Sequence, residues 1–183
     1  MNFKKIVTVI VATVALSLML SLPCEAAATT KATTKDSRAV GTTTKKKEKR
    51  EYTDSELRYM TSIIYCEARG ESYAGQKAVG IVVMNRVRSD EFPDSIKKVI
   101  YQRGQFSPVR NGSFSRALAS YDQQNKKDKF KGEMKSCRKA AVEVLEGSTT
   151  IKVKGKTKQM KSYLFFSQYV RNAKFTLGGH QFK

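Results

Sequence analysis

One histidine, three cysteines and 16 acidic residues are all that this 183-residue chain holds of those types. A single imidazole excludes metal centres that need several, most catalytic zinc sites among them. It also leaves any Ser–His or Cys–His arrangement one candidate base, His180. The acids face 35 Lys and Arg, for a formal charge of +19. Such an excess points to a polyanionic partner: nucleic acid, an anionic membrane or an anionic wall polymer. No internal repeat is visible, so there is no sign of a tandem binding array. A hydrophobic content of 40% suffices for a core and excludes wholesale disorder. At ~100–200 residues per domain, the length allows one folded unit.

Long apolar runs are also scarce; there is one, Ile6–Leu22, behind the basic stretch Met1–Lys5. Pro23-Cys24-Glu25-Ala26-Ala27-Ala28 then supplies the small residues that signal peptidase accepts, so residues 1–28 read as a secretory signal. Pro23 stands where a lipobox wants a small residue, which argues against lipidation of Cys24. Export removes nucleic acid from the list of partners. A membrane remains one only if the signal segment is retained as an anchor, since the run is near the lower limit for spanning. Residues 29–50 carry eight Lys or Arg, two acids and, as apolar residues, only Ala and Val. That composition cannot offset ordering entropy, so it reads as a basic tether, suited to anionic wall polymers or to serving as a spacer. Setting leader and tether aside leaves 25 basic and 13 acidic residues in 51–183, so the folded part is itself basic.

Within 51–183, Thr53-Asp54-Ser55-Glu56 is a capping box, and Leu57, Met60, Ile63 and Ile64 follow at helical spacing to about Ala68, closed by Gly70. Ser72 can cap a second helix to about Val87, apolar on nearly every face and therefore central. Asp94 is expected to cap a short helix, Ser95–Tyr101, and Gln105–Asn111 to form a loop. A weak helix, Ser115–Tyr121, a mobile connector, Asn125–Lys131, and a stronger helix, Glu133–Leu145, come next. Ile151–Lys154, Tyr163–Ser167, Phe175–Leu177 and Gln181–Phe182 look like short strands, with Gly178-Gly179 as a hairpin. Helices first and strands last predict an α+β domain, a helical body beside one small antiparallel sheet.

The chemistry concentrates in Tyr65-Cys66-Glu67-Ala68-Arg69-Gly70-Glu71. Glu67 falls in the last turn of an apolar helix, where burial and the negative end of the dipole both disfavour a carboxylate. Its pKa should therefore rise, as a general acid near neutral pH requires. Glu71 could be a second carboxylate. On spacing alone another reading stays open, with both as surface acids paired to Arg69 and Lys77.

Several ordered motifs carry a resemblance. Ile64-Tyr65-Cys66-Glu67-Ala68-Arg69-Gly70-Glu71, Gly75-Gln76-Lys77-Ala78-Val79-Gly80 and Val83-Met84-Asn85-Arg86-Val87 resemble the cell wall hydrolase family of the spore-cortex-lytic enzyme type. Phe92-Pro93-Asp94, Val99-Ile100-Tyr101-Gln102, Gln105-Phe106-Ser107-Pro108-Val109, Ser162-Tyr163-Leu164-Phe165-Phe166 and Gly178-Gly179-His180-Gln181-Phe182 continue it in order, through essentially the whole domain. The resemblance implies a lysozyme-like domain, of the lytic-transglycosylase type, that cleaves peptidoglycan glycan strands in spore cortex or wall. It makes Glu67 the catalytic acid and base. It needs no cofactor and no metal, and it places a monomer outside the cell, at the wall or spore envelope. Family members often have a peptidoglycan-binding module upstream, where this chain has the tether. Ser167-Gln168 also departs from the family's frequent Asn-Pro.

Around Glu67, the candidates for substrate contact are Glu71, Gln76, Tyr101, Gln105, Phe106, Ser107, Tyr163 and His180. Gln105 and Ser107 can donate hydrogen bonds to sugar substituents, and Tyr101 and Phe106 can stack on pyranose faces; ordinary loop packing is the alternative for each. Cys66 and Cys137 lie on apolar stripes and read either as a disulfide between two helices or as buried thiols. Two rival functions stay open. One is a wall amidase or endopeptidase with Cys66 as nucleophile and His180 as base; the other is a cationic wall-binding protein without activity.

Overall fold

The computed structural model describes residues 51–183; the expected signal, residues 1–28, and tether, residues 29–50, lie outside the described residues. Helix α1, Asp54–Ala68, starts at the capping box: the Glu56 amide donates to Thr53 Oγ1 at 3.1 Å, and the Thr53 amide to Glu56 Oε2 at 2.9 Å. Its inward stripe is Leu57, Met60, Ile63, Ile64 and Ala68, and Glu67 continues that stripe three residues after Ile64. Helix α2, Tyr73–Val87, is capped by Ser72 and buries every residue from Gly75 to Arg86 except Lys77. It packs against both α1 and α6, Gly132–Leu145. At Gly80 a Cβ would stand 2.8 Å from Ile64 Cδ1 and 3.3 Å from Val144 Cγ2, so the absence of a side chain sets how closely the three helices meet. Each fully buried Leu, Ile, Val or Met contributes about 1.5–3 kcal/mol, which places most of the stability in this trio.

Between α2 and α6 the structure departs from expectation in instructive ways. Ser95, not Asp94, caps α3, Ile96–Tyr101; Asp94 instead accepts from Lys98 Nζ at 3.0 Å. Part of the expected loop is a single helical turn, α4, Ser107–Arg110, because Pro108 sits in a first turn where its missing N–H costs nothing. Helix α5 runs Ser113–Lys126, longer than expected at both ends. Phe114, Ala117, Leu118 and Tyr121 anchor one face, and the helix then extends into the supposed connector on exposed polar residues.

The C-terminal part forms two small sheets rather than one. Strands β1, Thr150–Val153, and β2, Lys156–Gln159, are an antiparallel hairpin turned at Lys154-Gly155, both in the left-handed region. Strand β2 escapes sequence reading because Lys-Thr-Lys-Gln has no apolar alternation. The second sheet is β3, Phe166–Ser167, β4, Phe175–Leu177, and β5, His180–Phe182, in the order β3-β5-β4. Only the last two residues of the strand expected at Tyr163–Ser167 are paired. Leu164 and Phe165 instead both donate to the Lys183 carbonyl at 2.8 Å. The architecture is α+β as expected, a helical body with small antiparallel sheets at its C-terminal side.

Candidate active site

Glu67 ends the apolar stripe of α1, half-buried, in a last turn that contains no basic residue. Among the described residues it accepts no hydrogen bond and meets no cation at ion-pair distance. Burial therefore acts unopposed and raises its carboxyl above the usual glutamate range. The chain then turns at once, with the Glu71 amide donating to the Ala68 carbonyl at 3.0 Å. Gly70 is not in the left-handed region, and a Cβ there would meet nothing within 4 Å. The fold does not require glycine at that position; the space beside it is open.

Glu71, four residues on, has a different situation. Its Oε1 accepts from the Gly179 amide at 3.1 Å, across 108 residues of chain. A Cβ on Gly178 would collide with that carboxylate, and Gly178 is also in the left-handed region at φ 58°. The two hairpin glycines thus let the β4–β5 turn close on the turn after α1. Gln76 holds the same turn from below: its Nε2 donates to the Arg69 carbonyl at 3.4 Å and to the Glu71 carbonyl at 3.2 Å. Its Oε1 accepts from Ser136 of α6 at 2.6 Å. Gln76 is buried, with its amide engaged at both ends, so it shapes the motif rather than offering itself to a ligand. His180 is buried in β5 against Phe166 and Phe182, its Nδ1 without a partner. Burial lowers its pKa, and the nearby Glu71 charge partly opposes this.

The remaining candidates divide by exposure. Tyr101 is exposed and edge-on to Tyr59 of α1 and to Phe114 of α5. Gln105, between α3 and α4, and Ser107, the first residue of α4, are exposed as well, and both helices contact α1. Phe106 and Tyr163 are buried: Phe106 beside Phe166, Tyr163 against Phe175 and Phe182. Neither can present a ring face to a ligand without moving. Sequence reasoning did not single out what supports this segment. The buried Arg86 guanidinium lies over Phe92, Phe106 and Phe165 at 5.1, 5.3 and 5.6 Å, while its Nε donates to the Leu164 carbonyl at 2.8 Å. Burial lowers its pKa to about 10. Asn85 beside it donates to the carbonyls of Met160 and Tyr163 at 2.7 and 2.8 Å. The signal was visible: Asn-Arg is a polar pair that directly follows the apolar run Ala78–Met84.

Cys66 and Cys137 are free thiols on facing helices. Burial pushes Cys66 up to about 11, helped by the Glu67 charge, and Cys137 up to about 12. No hydrogen bond or electrostatic interaction joins Cys66 to His180. A thiol so protonated at neutral pH, with no base in reach, is a poor nucleophile.

Known proteins match this chain in sequence, in family and in fold. Over 61 residues, a third of this chain, the sequence is 43% identical to the spore cortex-lytic enzyme of Halalkalibacterium halodurans and 38% identical to that of Bacillus subtilis. Those segments are 18% and 20% of the two relatives, so the match spans about a fifth of their length. In three dimensions, 72% of the chain superposes on the catalytic domain of the germination-specific lytic transglycosylase SleB from Bacillus anthracis. The identity is 23%, the TM-score 0.50, and 95% of that domain is covered. The Bacillus cereus SleB catalytic domain gives 23% identity and a TM-score of 0.52, with 91% of it covered. These structures fix the fold as that of the SleB catalytic domain. The cell wall hydrolase family profile matches residues 70–183, beginning three residues after Glu67. The chain belongs to the cell wall hydrolase family.

Proposed function

We propose that this protein cleaves the glycan strands of peptidoglycan as a lytic transglycosylase, with Glu67 as the single acid and base. The observation that carries the reading is a half-buried carboxyl, raised by burial and without a cationic partner among the described residues, at the end of an otherwise apolar stripe. In its acid form Glu67 protonates the glycosidic oxygen leaving C1 of muramic acid. As a carboxylate it then takes the proton of the sugar's own 6-hydroxyl, whose oxygen attacks C1 and closes a 1,6-anhydro ring. The proton is returned to Glu67 and no water is consumed. Most glycosidases place a second carboxyl across the scissile bond. The neighbouring carboxylate, Glu71, is occupied by the Gly179 amide, which favours a route whose nucleophile belongs to the substrate.

Exposed Tyr101, Gln105 and Ser107 are the substrate-facing residues of this reading. Glu71, Gln76, Phe106, Tyr163 and His180 are its frame. The leader would export the enzyme to the wall or spore envelope as a monomer, with residues 29–50 as a basic tether. Mass spectrometry of digested peptidoglycan tests the chemistry: 1,6-anhydro-muropeptides are expected. Reducing ends would instead indicate hydrolysis, and loss of activity in Cys66→Ser but not in Glu67→Gln would indicate the thiol route.

A further inference from the structure

Five of the 25 basic residues of the folded part gather around the start of α6. Lys131, Lys135, Arg138 and Lys139 recur at i, i+4, i+7 and i+8 along the start of α6, spanning about 12 Å of helix. With Lys129 they line a hollow of about 930 Å³ in which Asp128 is the single carboxylate. None of these five cations has a carboxylate at ion-pair distance among the described residues. Lys77 and Lys98, by contrast, are paired with Glu143 and Asp94 at 2.7 and 3.0 Å. The Arg138 guanidinium lies 4.8 Å over the Phe130 ring, with its Nε buried and unpartnered. Lys139 lies 5.3 Å over Tyr73, which fixes it at the hollow's edge. Helix α6 also begins without a side-chain cap, Gly132 at its first turn lining the same hollow; Glu133 lines the neighbouring one.

We infer that this hollow is a second binding site, which takes a phosphodiester polymer laid along α6. Lysines four residues apart on one helix suit a chain of repeated monoanions better than a single ion. An arginine fork and uncapped backbone N–H groups both match phosphate oxygens. The chain's own residues 29–50 carry the same sign of charge and would be repelled. The site adjoins the reaction centre through one linkage: Ser136, which lines the hollow, bonds Gln76, and Gln76 holds the turn after Glu67. A polymer bound here keeps that turn against the wall without occupying it. The inference rests on the protein working at a wall, but not on the chemistry of Glu67.

The test is adsorption of the full chain to purified walls, before and after hydrofluoric acid strips their phosphodiester polymers. K131Q/K135Q/K139Q should adsorb roughly tenfold more weakly to intact wall, and K152Q/K156Q/K174Q, equal in charge but on other surfaces, less than about twofold. On stripped wall the two variants should become indistinguishable, and long-chain polyphosphate should displace the unmodified protein. K131R/K135R/K139R should restore adsorption, and cleavage of a short soluble glycan should be unchanged throughout. Equal losses in both triple variants would overturn the site and leave only net charge. So would a selective loss that persists on stripped wall, or one seen on phosphatidylglycerol vesicles but not on walls.

Discussion

Glu67 and Glu71 lie four residues apart in a single motif, yet the fold treats them in opposite ways. The region around Glu67 supplies burial and no partner, so the carboxyl holds its proton to higher pH. The region around Glu71 supplies a backbone N–H and two glycines shaped to receive it, so that carboxylate is tied to the β4–β5 turn. Identical side chains thus acquire different work. One is left available for proton transfer, and the other fastens a hairpin 108 residues away beside it. The lesson is that a pair of acids in a short motif is not evidence of a two-carboxylate mechanism until their partners are known.

The largest expected effect separates activity from stability. Glu67→Gln should reduce muropeptide release roughly 100- to 10,000-fold, the usual scale of general acid–base catalysis. It should not reduce the melting temperature. A carboxyl whose pKa is raised on folding stabilises the native state below its unfolded value, and that contribution is lost as pH rises through the folded value. Above the folded value the ionised Glu67 is therefore a cost that Gln removes. The variant should melt at or above the parent's temperature at every pH, with the difference growing as pH rises and vanishing in acid. A drop in melting temperature at neutral pH would place Glu67 among the structural residues.

Glu71→Ala should show the opposite balance. Loss of the Gly179 bond should cost about 1 kcal/mol, the scale of one partly exposed hydrogen bond. Activity should fall with it, by roughly tenfold, because the hairpin loosens beside the motif. Glu71→Gln keeps an acceptor and should recover most of both. If Glu71→Gln is instead as inactive as Glu67→Gln while melting normally, both carboxyls take part in the chemistry and the contrast fails. Cys66→Ser should be the mildest change, leaving the rate on a soluble glycan within about twofold, because a thiol protonated at neutral pH takes no part. Loss of activity with an intact fold would revive the thiol mechanism.

Much of this contrast was legible in the sequence. The capping box at Thr53, the apolar stripe and the position of Glu67 on its end required only helical periodicity. Burial of α2 followed from its lack of a polar face. What could not be read was pairing at a distance. Nothing in Glu-Ala-Arg-Gly-Glu says that its second glutamate closes on Gly178-Gly179, or that Gln76 turns inward to hold two carbonyls of the same loop. Phe106 looked like a sugar platform and Tyr163 like a substrate contact; only their packing, Phe106 under Arg86 and Tyr163 against Phe175 and Phe182, shows them buried. The two cysteines fell on inward stripes as expected. Whether they bond depends on how the two side chains meet across α1 and α6, which no periodicity reports. Lys-Thr-Lys-Gln became a strand only because Thr150–Val153 offered a partner across a left-handed turn.

The central claim is that burial, unopposed by any partner, keeps Glu67 protonated into the range where it can act as an acid. Carbon-13 NMR titration of the glutamate carboxyls, with Glu67 assigned by its absence in Glu67→Gln, measures this directly. The account predicts a midpoint for Glu67 clearly above the ordinary ~4.3, coinciding with the alkaline limb of the kcat/KM profile on a soluble glycan. A midpoint at or below the ordinary value, with no alkaline loss of activity, would contradict it.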